Sequence, residues 1–95
     1  MYFVRLMGSP DIPEVASIFD RYRVFYHKSS DFQGAVSFLS NRYDNKESVV
    51  FVAITPENKI VGFTQLYPLF SSLRMKKMWL LNDLFVEELF NGKEI

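Results

Sequence analysis

The chain has 95 residues, 48% of them hydrophobic and 23% charged, which is enough for one small globular domain, a single domain over 1–95, with one modest core. Eleven basic residues balance eleven acidic ones, so no bulk charge favours nucleic acid or an anionic membrane. The absence of Cys and the single His exclude disulfide frameworks, thiol catalysis and the usual zinc ligand sets, and no apolar run is long enough to span a bilayer, so the expectation is a cytoplasmic protein without a metal, nucleic-acid or membrane partner.

In chain order, Tyr2 to Met7 is β-prone and is ended by Gly8-Ser9-Pro10. A helix follows to about Tyr26. Asp11 is its expected cap, Glu14 closes a capping box, and Pro13 in the first turn forfeits no hydrogen bond. Ile12, Val15, Ala16, Phe19, Tyr22 and Tyr26 recur at helical spacing and predict its buried stripe. A second helix is expected from Ser29-Ser30, with Ser30 and Gln33 as its capping box, and Gly34 weakens it by ~1 kcal/mol. Phe32, Ala35, Val36, Leu39 and Tyr43 form its stripe, and Asp44-Asn45-Lys46 ends it.

The periodicity then changes. The run from Val49 to Ile54 is apolar and β-branched and reads as a strand buried on both faces. Thr55 to Lys59 is turn chemistry, and Ile60 to Tyr67 is the return strand, with Gly62 marking a bulge or a close approach and Pro68 its end. Ser71 to Lys77 reads as a basic connector, and Met78 to Val86 as a last strand. The fold class is therefore α+β, an antiparallel four-stranded sheet with two helices in the order β-α-α-β-β-β.

Generic motifs give little chemistry. No phosphate-binding glycine loop or metal-ligand cluster is present, and His27 reads as a helix C-terminal cap. Arg74, Lys76 and Lys77 read as a solvated connector. The informative segment is Met78 to Val86, where Asn82-Asp83 interrupts an apolar strand. Polar groups there are costly unless partnered, so they mark a bulge, a site or a crevice.

The segments SPDIPEVASIFDRYRVFY, SVVFVAITPENKIVGFTQLYP and WLLNDLFVEELFNGKEI, in this order and spacing, resemble the N-terminal half of a GNAT-superfamily N-acetyltransferase. The resemblance covers essentially the whole chain. It implies transfer of acetyl from acetyl-CoA to a primary amine on a small molecule or peptide. It also implies that the pantetheine arm runs along the backbone of Leu84, Phe85 and Val86, where an N–H polarises the thioester carbonyl. In such enzymes the pyrophosphate sits on a Gly-rich helix entry. Gly92 fits that step, whereas Asn91 and Glu94 depart from it, Glu94 adding bulk and negative charge.

A base must deprotonate the amine before attack. Relatives often place Glu where this chain has Asn82, which leaves Asp83 as the nearby carboxylate; a buried hydrogen-bond acceptor is its competing role. Tyr26 and Tyr67 are the candidates for an acceptor pocket, while Tyr22 and Phe25 read as core. The expectation is an acetyltransferase impaired or inactive as an isolated chain. The alternative is a non-catalytic, truncated or split module that pairs through its open last strand with another copy or a complementing chain. A sheet that is regular through Asn82-Asp83 would instead favour an unrelated ligand pocket.

Overall fold

The computed structural model describes residues 2–87. The elements are β1 (Phe3–Leu6), α1 (Ile12–Phe25), α2 (Phe32–Asp44), β2 (Val49–Ile54), β3 (Ile60–Ser71) and β4 (Lys76–Val86), with a 3-10 turn at Ser9–Asp11 leading into α1. The strands form one antiparallel sheet in the order β1-β2-β3-β4, as the sequence predicts.

The helices cover one face of this sheet. Val15, Ile18 and Phe19 of α1 and Ala35 and Leu39 of α2 pack with Val50 and Val52 of β2 and Phe63 of β3. Full burial of each such Val, Ile, Leu or Phe side chain contributes about 1.5–3 kcal/mol, which is what holds the layers together. β2 is not buried equally on both faces. Val50 and Val52 face the helices and are buried, whereas Phe51, pointing the other way, is only half-buried. Its neighbours on that second face, Val4, Leu6 and Leu84, are exposed.

Local capping departs from the sequence pattern in each helix. The Asp11 carboxylate turns away from α1 to accept from the Gly8 N–H at 2.7 Å and from the Arg5 guanidinium at 2.7 and 3.0 Å. That guanidinium holds Asp11 below the usual carboxylate range. Glu14 reaches across to the Ile60 N–H of β3 at 3.0 Å, closing no capping box. In α2 the cap is Asp31, accepting from the Gly34 N–H at 2.9 Å. Ser30 instead donates to Asp20 at 2.6 Å, tying the helix connection to α1. Gly34 does more than weaken the helix, because a Cβ there would lie 2.2 Å from Asp31 Oδ2.

The β3–β4 hairpin is longer than expected. Pro68 does not end β3 but pairs with Trp79. It lies beyond Leu66, the last β3 residue paired with β2, so β3 has a free flank there, where the missing N–H of a proline is tolerated. Lys76 and Lys77, expected in a connector, are already strand residues.

Candidate functional site

Two register shifts shape the sheet around the end of β4. Gln65 pairs with Asp83 while Leu66 pairs with Leu81, which leaves Asn82 as the extra residue of a bulge. The polar interruption of the strand is therefore the irregularity that its chemistry indicates. The second shift leaves Val61 without a partner on β2, while its carbonyl accepts from the Glu87 N–H at 2.8 Å. A Cβ on Gly62 would lie 3.0 Å from the Phe85 carbonyl oxygen, so Gly62 also serves a close approach of β3 to β4.

The bulge delivers Asp83 to the helix face of the sheet. It is buried at 8% exposure, and its Oδ2 accepts from Gln65 Nε2 at 3.0 Å and Asn82 Nδ2 at 3.2 Å. Gln65 is itself fully buried and takes a hydrogen bond from Ser48 Oγ on Oε1 at 3.0 Å. The Thr64 hydroxyl donates to the Asp83 carbonyl at 2.8 Å. The phenol of Tyr22 also meets this carboxylate. Burial first, and Asp83 second, push its pKa up to about 12. Burial, followed by Asp83, likewise raises the Tyr67 phenol.

Beside this carboxylate an open groove of about 750 Å³ runs between the last turns of α1 and the end of β4. Tyr22, Phe25 and Tyr26 form one wall and Leu84, Phe85 and Val86 the other. The walls touch through aromatic contacts, with ring centroids 5.6 Å apart for Tyr22–Phe85 and 6.5 Å for Phe25–Phe85. Arg21 closes the end of the groove by pairing with Glu87. Among the described residues β4 has no strand neighbour on its outer side, so this edge carries backbone groups free to pair.

The structure thus brings together Leu84, Phe85, Val86 and Tyr26 in the groove and places Tyr67 near Asp83. Gly92 lies outside the described residues. Tyr22 and Phe25, read from sequence as core, line the groove, and Phe25 is 67% exposed. Helical spacing put Tyr22 on the apolar stripe but could not show that the last turns of α1 and the end of β4 leave a groove between them. His27 stands where expected at the end of α1, in a left-handed conformation (φ 67°). Lys77 sits over the Trp79 ring, 4.7 Å from its centroid and away from this groove. Among the described residues no three His, Cys, Asp or Glu side chains cluster for a metal, and no helix is long and apolar enough to cross a membrane.

No protein-family model matches the chain. It is 47% identical over 83 residues to an uncharacterized N-acetyltransferase, YhfO, of Bacillus subtilis, covering 87% of this chain and 55% of that protein. It is 34% identical to a probable acetyltransferase of Haemophilus influenzae, covering 90% of this chain and 58% of the relative. A crystal structure of a probable acetyltransferase superposes with a TM-score of 0.87 at 38% identity, over 90% of this chain and 58% of that one. A structure described as a predicted acetyltransferase with acetyl-CoA, from Clostridium acetobutylicum, shares the fold at 15% identity and TM-score 0.77, over 98% of this chain and 64% of its own. The chain spans a little over half the length of the curated relatives it matches.

Proposed function

This chain is a homologue of the GNAT-type acetyltransferases, and from that premise we propose that it carries the donor edge and the acceptor-side carboxylate of an acetyl transfer from acetyl-CoA to a primary amine. The observation that supports this reading best is the juxtaposition of an unpaired strand edge, an apolar groove and a buried carboxylate at one bulge. Acetyl-CoA supplies the activated acyl group as a thioester. The residues fit its slender pantetheine arm, because Leu84, Phe85 and Val86 offer edge amides and an apolar wall, and Gly62 lets the backbones close up behind them.

The remaining work belongs to the chain. An acceptor amine is mostly protonated at neutral pH and must lose a proton before it can attack. Asp83, on the helix face and adjacent to the groove residue Leu84, takes it, whereas the groove-lining Asp20 and Glu87 are engaged by Ser30 and Arg21. An edge N–H of the Leu84–Val86 segment donates to the oxygen on which charge develops during attack. Tyr26 and Tyr67 contribute ring faces to the acceptor side, a surface suited to an ammonium group.

A second reading draws on the same open edge. An exposed β-edge pairs readily with another strand, so the chain can instead serve as a non-catalytic module that joins a second copy or a complementing chain through β4. Calorimetry with acetyl-CoA separates the two. Micromolar affinity supports the enzyme reading, and no heat at millimolar acetyl-CoA supports the assembly reading.

A further inference from the structure

A hydrogen-bonded chain runs through the sheet behind the groove, from the half-buried Ser48 just before β2, through the buried Gln65 on β3, to Asp83 on β4. Its direction is fixed by chemistry. The Asp83 carboxylate only accepts, so it turns Gln65 Nε2 toward itself, and Ser48 Oγ donates to the Oε1 on the other side and anchors the amide in that orientation. Gln65 is fully buried, so a flipped amide would find no water to compensate it and would set Oε1 against a carboxylate oxygen. Asn82, the extra residue of the bulge, adds a second amide donor to the same Oδ2. Two donors fill the accepting capacity of that oxygen, and although the Tyr22 phenol also bonds to the carboxylate, Oδ1 keeps an acceptor site for an incoming N–H.

We propose that Ser48, Gln65 and Asn82 are positioning residues that commit Asp83 Oδ2 and thereby present Oδ1, beside the phenols of Tyr22 and Tyr67, as the receptor for a primary ammonium group. This rests on the acetyl-transfer reading and names the form in which the acceptor first binds, as a cation recognised by a carboxylate among aromatic rings. A bulge residue that only relieved strand geometry would have no need of an amide side chain.

The test is an amine titration followed by the side-chain amide resonances of Gln65 and Asn82, with propylamine as the probe. Propylamine is expected to move both resonances, and Asp83→Asn is expected to abolish the response. Ser48→Ala, which releases the Gln65 amide and loosens its hold on Asp83 Oδ2, should weaken propylamine binding about tenfold, and Ser48→Thr should restore it. Asn82→Ala, at an exposed bulge position, carries the same test if Ser48→Ala does not fold, with the same expected direction. Resonances that ignore propylamine, or folded variants that bind it like the parent, overturn the proposal. Propylamine that binds but is never acetylated counts against acetyl transfer and leaves the positioning role intact. Acetylation that proceeds unchanged in Ser48→Ala and Asn82→Ala does the reverse.

Discussion

The Tyr22 phenol on α1 sits beside the Asp83 carboxylate on β4, and its pKa is pushed up to about 12, by burial first and by the carboxylate second. The folded chain therefore holds this proton more tightly than the unfolded chain, whose phenol titrates near 10. The stability this contributes is fully present below pH ~10 and is lost as the pH rises toward 12. Asp83→Asn should lower the Tyr22 midpoint without returning it to the ordinary value, because burial remains. The difference in phenolate absorbance between the parent and Tyr22→Phe isolates this one tyrosine. A midpoint indifferent to Asp83→Asn would separate the two groups.

The constraint at Gly62 is steric. A methyl group there would meet the Phe85 carbonyl at 3.0 Å, and the obstacle is backbone, which cannot rotate away. Gly62→Ala should cost about 1–3 kcal/mol by forcing β3 and β4 apart. It should also weaken any ligand of the Leu84–Val86 edge more than a mutation of equal cost in α2, such as Leu39→Val. Denaturant melts give the first quantity and calorimetry the second.

Both helices end on a non-glycine residue in the left-handed region, His27 (φ 67°) after α1 and Lys46 (φ 54°) after α2. In each, the next N–H bonds back to the last turn, Lys28 to the Arg23 carbonyl at 2.9 Å and Glu47 to the Arg42 carbonyl at 2.8 Å. Glycine fits this conformation without a Cβ penalty, so His27→Gly and Lys46→Gly should each stabilise the chain by about 0.5–1 kcal/mol. Thermal melts should show a rise of a few degrees for each. A fall in either would mean that the side chain does more than terminate its helix.

What was legible in the sequence and what was not divide by range. Helical spacing located both helices, β-prone and apolar runs bounded by turn residues located every strand, and the short connections implied an antiparallel sheet. Asn82-Asp83 announced the bulge because a polar pair inside an apolar strand needs partners, and Gly62 announced a close approach because it gives up a side chain. The misreadings are all tertiary. Ser30 matches a cap by spacing, yet Asp20 on the neighbouring helix claims its hydroxyl and leaves Asp31 to cap α2. Asp11 and Glu14 match a capping box, yet Arg5 and the Ile60 amide lie within reach and take them. Pro68 breaks a strand with two neighbours but not one whose neighbour has already ended. Tyr22 fits a core stripe equally well whether it meets Phe63 or Asp83, and it meets both.

The central claim is that the free edge at the end of β4 is the donor-binding edge. Backbone amide resonances recorded while acetyl-CoA is added test it most directly. The account predicts that Leu84, Phe85 and Val86 shift first and most, with Phe25 and Tyr26 of the facing wall following at the same midpoint. Saturable shifts confined to residues remote from this groove, or none at millimolar acetyl-CoA, would contradict it.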